Sequence, residues 1–530
     1  MRRYANLLYP ILFAVALVLG VVARAAGQYR GEDLAQVTGV VALATALAFA
    51  LVWAIVRLFD RTERAAPLAA ALTMLVVVWV FFYAPLQYAA SLITWRGSRD
   101  AVLFPAGALA TIGLVWWLVR QTCERLVRIN AFMTRFGLVL VTLVAVQGAT
   151  SGATPAAVHR STLVRQLAEP LRVADPAAPA ARNTPKRDIY LIVLDGHPNA
   201  RVVRSAMGYD ITPFVDSLRA LGFTIPREMR SNYAQSILSI PSIVNGEHLL
   251  QLAQDAGARN PSYTLPRYLV ENNRSARFLK RQGYKYILFP SAWWPATQHS
   301  PIADSEFNAR PYFDLVNELR RTELRQAVLS STLLRYLPKL RIDTLFDIRS
   351  MRGLREIPTD TAPTFVFAHF LLPHVPYYLD EQCHAVERPI LPKMEEADPA
   401  QQGPYLAQLR CADHLVLDLV TTLLRTSQPA PVILIVGDHG SRFAGPTFVE
   451  RPESASTALI RERFGAFGAF YLPAGGDSQF TGSVTLVNVM RNVLRYYFGA
   501  DLPPRPDDQY ISGELPFLYY KVDSTGYLER

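Results

Sequence analysis

Two short motifs set acids and imidazoles where a cation or a phosphoryl group could meet them. Asp195-Gly196-His197 follows the apolar run Ile189–Leu194, and Asp438-His439-Gly440 follows Val432–Val436 within VILIVGDHGSR. His374 follows a third run, within HFLLPHVPY. Singly, an Asp-Gly is a turn, and a His after a strand is more often structural than a ligand. An Asp-His pair at a buried strand end is costly without a partner or a metal. Two carboxylates and an imidazole at one sheet edge can close around a divalent cation. A fourth element, SNYAQSILSIPSIVNG at Ser231–Gly246, is rich in hydroxyls. A Ser opening a helix can act as a nucleophile, since the helix amides favour an anion and a bound cation lowers the hydroxyl pKa. Taken alone, the segment reads more simply as an N-cap and a Ser-rich helix face.

The elements that must hold these residues follow from the pattern of apolar residues. Ile189–Leu194, Tyr286–Phe289, Thr364–Phe367, Val432–Val436 and Ala469–Leu472 are short, continuous apolar runs, as expected of strands covered on both faces. Leu409, Ala412, Val416, Leu419 and Leu423 share a helical face after Pro404, and Leu486, Met490, Val493, Leu494 and Tyr497 share another before Gly499. Alternating strands and helices predict an α/β domain with a central sheet covered by helices on both faces. In such folds the reactive groups gather beyond the carboxyl ends of the strands.

The first third of the chain is different. Leu7–Ala23, Val37–Val56, Pro67–Ala89, Ala101–Val119 and Phe136–Ala153 each approach the ~20 residues that cross a bilayer, and the first four hold no charged residue. The expectation is an N-terminal α-helical transmembrane domain of about five spans. Arg2, Arg3, Arg57, Arg61, Arg64, Arg120, Arg125, Arg128 and Arg135 fall on one side of these stretches. Only Arg24, Arg30, Arg96 and Arg99 fall on the other. Basic loops stay cytoplasmic, so the N-terminus is expected inside and everything after the fifth span outside. Trp53, Trp95, Trp116 and Trp117 sit near span ends, as interfacial aromatics do. The expected domains are 1–153 in the membrane, a connector at 154–187 with one short helix near Val164–Leu171, and an exported domain at 188–530. The 530-residue chain has a formal net charge of +10, concentrated in the apolar third. A basic stripe on a soluble face is missing, which argues against a nucleic-acid partner. Three cysteines cannot make a disulfide scaffold; Cys383 and Cys411 could pair if exported, or stand apart.

Taken in order, these blocks resemble the alkaline phosphatase/sulfatase superfamily, in particular membrane-anchored sulfatase-like hydrolase/transferases. The likeness runs from about Asp188 to Ser512 through IYLIVLDGHPN, GYDITPFVDSLRALGF, SNYAQSILSIPSIVNGEHL, FAHFLLPHVPY, VILIVGDHG, ERFGAFGAFYLP and VNVMRNVLRYYFG. The arrangement of helices before an exported domain is similar to lipid A phosphoethanolamine transferases and lipoteichoic acid synthases. The resemblance implies Asp195, Asp438 and His439 as metal ligands, with Ser236 as nucleophile and further ligand, a Ser where the family has Thr. It implies His374 facing the transferred group or a second metal, and zinc, manganese or magnesium as cofactor. His369, Asp380, His384 and Arg442 are weaker candidates for coordination or substrate contacts. Two departures matter. The nucleophile lacks the x-Pro-x-Arg sequence of formylglycine sulfatases, and no His follows His439 to complete a second metal site.

The function expected is a metal-dependent transferase or hydrolase acting on phosphate-type esters of the cell envelope. It would move a phospho-headgroup from a membrane lipid to an envelope lipid or glycan, at the bacterial cytoplasmic membrane with the catalytic domain outside. Hydrolysis of phosphate or sulfate esters is the other enzymatic reading, and a degenerate, partner-binding relative the third. No feature sets an oligomeric state.

Overall fold

The computed structural model describes residues 6–24, 31–83, 86, 99–150, 155–173, 183, 185–291, 297–307, 323–336, 345–357, 362–390, 399–445, 452 and 455–523. Arg2, Arg3, Arg30, Trp95 and Arg96, and the ends of the third and fifth apolar stretches, lie outside these residues. The chain forms two compact units, Met1–Ala153 with Phe313–Ile342, and Thr154–Tyr312 with Asp343–Arg530.

In the first unit the apolar stretches are helices: α1 (Tyr9–Arg24), α2 (Gly31–Phe59), α3 (Ala65–Phe81), α4 (Arg99–Val119) and α5 (Cys123–Thr150). Two reach spanning length and hydropathy among the described residues, Asp33–Phe59 and Cys123–Gly148. The apolar parts of the other three, Tyr9–Ala23, Ala65–Phe81 and Leu103–Val119, are shorter than the five full spans expected. Their outward faces are apolar: Leu43, Leu47, Leu51, Leu58 and Phe59 on α2 are all more than half exposed. Hydroxyls within the helices bond back to the preceding turn, as Thr45 does to the Val41 carbonyl and Thr73 to that of Ala69, each at 2.8 Å. The helix Glu323–Ser331, from far along the sequence, belongs to this unit. Its Leu324 and Val328, one turn apart, are buried with Tyr9, Phe13 and Val37, and Arg325 donates to Gln36 at 2.6 Å.

The second unit is built on a six-stranded sheet. Its strands are β1 (Ile189–Leu194), β2 (Lys285–Phe289), β3 (Ser305–Glu306), β4 (Thr364–Phe370), β5 (Val432–Gly437) and β6 (Gly468–Tyr471), in the order β3-β2-β4-β1-β5-β6. All neighbours run parallel except β6, which is antiparallel to β5, so the sheet is mixed. The continuous apolar runs divide by alternation. Ile189, Leu191, Val193, Leu434 and Val436 enter one core with α6 (Ser236–Asn245) and α8 (Leu486–Phe498). Tyr190, Ile192, Leu194, Ile433 and Ile435 enter the other with α7 (Gln402–Thr426). Both faces are therefore dry, as a largely parallel sheet requires. Residues expected as a connector form two helices, Pro155–Arg160 and Thr162–Ala168, whose Leu163, Val164 and Leu167 join the first core. Cys383 and Cys411 are joined by a disulfide, with Cα atoms 5.1 Å apart.

Candidate active site

The three central strands end together, and their ends carry the acids. The Asp195 amide extends the β1–β4 pairing by donating to the Phe370 carbonyl at 2.9 Å. Gly196 then turns the chain at φ +70°, a conformation that costs a Cβ-bearing residue. Gly437 at the end of β5 lies so near the returning strand that a Cβ would sit 2.1 Å from the His197 carbonyl oxygen. These glycines let Asp195 and Asp438 approach. The amides of Gly196 and His439 donate to Asp438 Oδ1 at 2.9 and 3.0 Å, which leaves Oδ2 directed elsewhere.

His439 completes the group. Its Nδ1–H donates to the Gly440 carbonyl at 2.8 Å, leaving a lone pair on Nε2. Nε2 lies 3.7 Å from Asp195 Oδ1 and 3.6 Å from Asp438 Oδ2. Tetrahedral ligands on bonds of the length zinc makes to nitrogen and oxygen stand about 3.4 Å apart, so the spacing suits a shared cation. Asp195 Oδ1 and Asp438 Oδ2 are buried without a hydrogen-bond partner among the described residues. Two orphaned carboxylate oxygens facing an imidazole lone pair fit a divalent ion.

Electrostatics separate the two acids. Burial would push Asp195 up, but the imidazoles of His374, His369 and His439 outweigh it and hold the carboxyl well below the usual range. Burial, then the Asp195 charge, push Asp438 up. Burial and the Arg463 charge push His439 down to about 3, which keeps its imidazole neutral and able to ligate.

Ser236 opens α6. Gln235, not Ser236, is the N-cap, and its side chain makes no capping bond; its amide instead donates to the Ser512 and Gly513 carbonyls. The half-buried Ser236 hydroxyl is thus not used as a cap, and Oγ lies 3.2 Å from His439 Nε2. One turn on, Ser239 donates to the Asp438 carbonyl and pins the helix to the loop that carries Asp438 and His439. At the other end Gly246 adopts the left-handed conformation, and buried Arg274 and Arg491 donate to the Asn245 and Gly246 carbonyls. Cations there complement the helix dipole and leave its positive end at Ser236.

The remaining candidates divide. His374 is half-buried beside the acids, with Nδ1 on the Val375 carbonyl at 2.7 Å. Burial lowers its basicity, and Asp195 partly restores it. Arg442 acts on His374 and His439 and hydrogen-bonds Tyr377. His369 lies inside β4, fully buried, with Nε2 3.4 Å from Asp195 Oδ2 and Nδ1 2.8 Å from Thr297 Oγ1. It therefore orients Asp195 and has no open face for substrate. Asp380 and His384 lie against each other at the surface, Oδ2 to Nδ1 3.5 Å apart.

Three residues not singled out by the sequence hold the loops. Gln408 on α7 donates to the His374 carbonyl at 2.8 Å and accepts from the Tyr378 amide at 2.9 Å. Glu462 accepts from the Ser441 hydroxyl and the Phe443 and Ala444 amides, fastening the loop that carries Arg442. Arg463 is buried, donates to the Ala234 carbonyl, and is lowered by burial to about 10, so its charge persists beside Asp438. Glu462 and Arg463 had one signal, the ERFG block, where charged residues interrupt an otherwise apolar stretch, and Gln408 had none.

Comparison with known proteins follows this geometry. No curated protein is similar enough in sequence to count as a relative. Similar solved structures include the C-terminal periplasmic domain of EcEptC from Escherichia coli in complex with Zn, at 12% identity and TM-score 0.43, covering 65% of this chain and 94% of that one. Another is the lipoteichoic acid synthase LtaP from Listeria monocytogenes, at 11% identity and TM-score 0.39, covering 70% and 92%. A third is the C-terminal periplasmic domain of the phosphoethanolamine transferase EptC from Campylobacter jejuni, at 10% identity and TM-score 0.37, covering 60% and 96%. The profile of the Sulfatase family matches residues 188–475, more than half of the chain. On that match, which spans β1 to β6 and every candidate residue described above, the chain belongs to the Sulfatase family.

Proposed function

We propose that this protein is a metal-dependent transferase or hydrolase of phosphate-type esters in the cell envelope, with Ser236 as its nucleophile. The observation that carries the reading is the Ser236 hydroxyl at an uncapped helix start, 3.2 Å from His439 Nε2, beside two buried carboxylates with orphaned oxygens. Asp195, Asp438 and His439 would hold a divalent cation, zinc, manganese or magnesium, with Ser236 Oγ beside it. Such an ion, when bound, supplies charge neutralisation at the ester oxygens and lowers the hydroxyl pKa.

The protein's own groups then have distinct tasks. Ser236, ionised with its proton released to solvent, attacks phosphorus through Oγ as the bond from phosphorus to the leaving oxygen breaks and that oxygen departs with the electron pair. The α6 amides and the Arg442 guanidinium face the charge of the transferred group. His374, neutral and with Nδ1 tied to a carbonyl, presents a lone pair at Nε2. That suits it to accept a proton from the water or acceptor that releases Ser236. His369, Gln408, Glu462 and Arg463 fix the positions of these groups.

The apolar exterior of the first unit, the arginine asymmetry and the disulfide support a multi-pass protein of the bacterial cytoplasmic membrane, N-terminus inside and catalytic unit outside. An enzyme so placed meets membrane lipids as donors and envelope lipids or glycans as acceptors. The test is mass spectrometry of envelope lipids and glycans from cells carrying wild-type or Ser236→Ala protein. Loss of one phospho-substituent from an acceptor would name a transferase, and loss of free phosphate or sulfate a hydrolase. A folded Ser236→Ala protein with unchanged products would falsify the assignment.

A further inference from the structure

A fourth strand ends at the sheet edge that carries the acids. β2 lies beside β4 and parallel to it, so its carboxyl end points the same way. Ser291 comes two residues after that end, and Thr297 six residues further on. Both are buried. Thr297 Oγ1 lies 2.9 Å from Ser291 Oγ and 2.8 Å from His369 Nδ1. His369 Nε2 in turn lies 3.4 Å from Asp195 Oδ2. Two hydroxyls and an imidazole thus join the end of β2 to the acid at the end of β1.

The chemistry of these groups fixes which way the protons run. An ionised carboxylate only accepts, so the ring nitrogen that faces Asp195 must carry hydrogen. A neutral imidazole has one ring proton, and with it on Nε2 the lone pair lies at Nδ1. Only a donor can fill that lone pair, and the Thr297 hydroxyl is in place to do so. A hydroxyl that gives its proton still accepts, so Ser291 Oγ–H can back the Thr297 oxygen. The opposite tautomer would set the Nε2 lone pair against a carboxylate oxygen in a dry interior, where two unmatched acceptors are costly.

We infer that Thr297 is a positioning residue of the candidate metal site, acting through His369. Its hydroxyl selects the tautomer of His369 that offers a proton to Asp195 Oδ2. The Asp195 oxygen left for a cation is then Oδ1, the one 3.7 Å from His439 Nε2. Groups that orient a metal ligand in this way typically contribute roughly ten- to a hundredfold in metal affinity. The role rests on the reading of Asp195, Asp438 and His439 as ligands, and it extends the site to a strand that supplies no ligand itself.

The test is the zinc affinity of the full chain in detergent, read by competition with a chromogenic chelator. Thr297→Val replaces the hydroxyl with a methyl of similar size and should weaken zinc binding about tenfold. Thr297→Ser restores a hydroxyl and should bind as the wild type does. A packing role predicts the opposite order, because Ser leaves the larger void and Val the smaller. His369→Gln keeps an amide donor near the Nε2 position and has no Nδ1 lone pair to fill, so Thr297→Val should cost nothing further in that background. Melting of the metal-free proteins checks that each is folded, and Thr297→Ala replaces Thr297→Val if that variant is not. Unchanged affinity in Thr297→Val, a greater loss in Thr297→Ser, or an undiminished loss beside His369→Gln would each overturn the role of Thr297 and leave the Ser236 reading untouched. A folded wild-type chain that takes up no zinc, manganese or magnesium would instead overturn the metal site, and the role of Thr297 with it.

Discussion

The two units use apolar side chains in opposite ways. In the second unit they alternate between two dry cores, and buried Asp195, Asp438 and His439 come together at the ends of β1 and β5. In the helical unit many of them point outward, around inner clusters that include Tyr9, Phe13 and Val37. Among the described residues, the only large apolar side chains exposed outside the helical unit are Leu250 and Leu345. A contiguous apolar exterior of that extent does not suit a soluble surface. Composition alone would call both halves hydrophobic; which way the side chains face separates a unit with its large apolar residues inside from one that exposes many of them.

The contrast breaks most sharply at the nucleophile. Ser236→Ala should lower turnover on the order of 10³-fold or more, with melting little changed because the hydroxyl is half-buried and bonds only within the site, to His439 and Asp438. Both are read by product formation and calorimetry on the full chain. Next comes Leu47→Arg on α2, where the side chain is 62% exposed. In lipid it should cost about 3 kcal/mol of insertion and shift the protein out of the membrane fraction. The same change at Leu250 should stay within about 0.5 kcal/mol. Equal effects at the two positions would remove the distinction. Cys411→Ser opens a loop whose ends are 28 residues apart, worth about 3 kcal/mol by chain entropy. Reductant should therefore lower the melting of the catalytic unit and leave the helical unit unmoved.

How much of this was legible depended on whether a signal was local. Ile189–Leu194 and the other apolar runs gave the strands within a residue or two at most ends, because a strand dry on both faces has no other reading at that length. β4 was cut short at Phe367. His369 interrupts the apolar run, yet the strand continues to Phe370 because that imidazole is partnered inside by Asp195 and Thr297. Asp195, Asp438 and His439 were singled out because they follow strands, whereas Ser236 was singled out only through the family resemblance. Arg463, Glu462 and Gln408 were not, since their roles come from contacts far apart in sequence. The helix Glu323–Ser331 was missed for the same reason: its burying partners, Tyr9 and Phe13, are some three hundred residues earlier.

A smaller effect tests where the catalytic unit begins. Ser161 caps the helix Thr162–Ala168 by accepting from the Val164 amide, and donates to Asp255 Oδ2 at 2.6 Å. The Leu163 amide donates to the same oxygen at 3.0 Å. Burial pushes the Asp255 carboxyl up, but these bonds outweigh it and hold its pKa below the ordinary value. A depressed folded-state pKa stabilises above the unfolded value, near 3.9, and the stabilisation is lost as pH falls through the folded one. Protection at Leu163 and Val164, the exchange rate relative to that of the unstructured chain at the same pH, should therefore be high and level above about pH 4 and fall below it. Asp255→Asn keeps an acceptor but removes the charge, so exchange should be modestly faster and lose that acid-side dependence. Fast exchange at every pH would mean that this helix is a tether between the units; protection down to acid pH places it in the catalytic core, so that the boundary between lipid-facing and water-facing packing falls before Ser161.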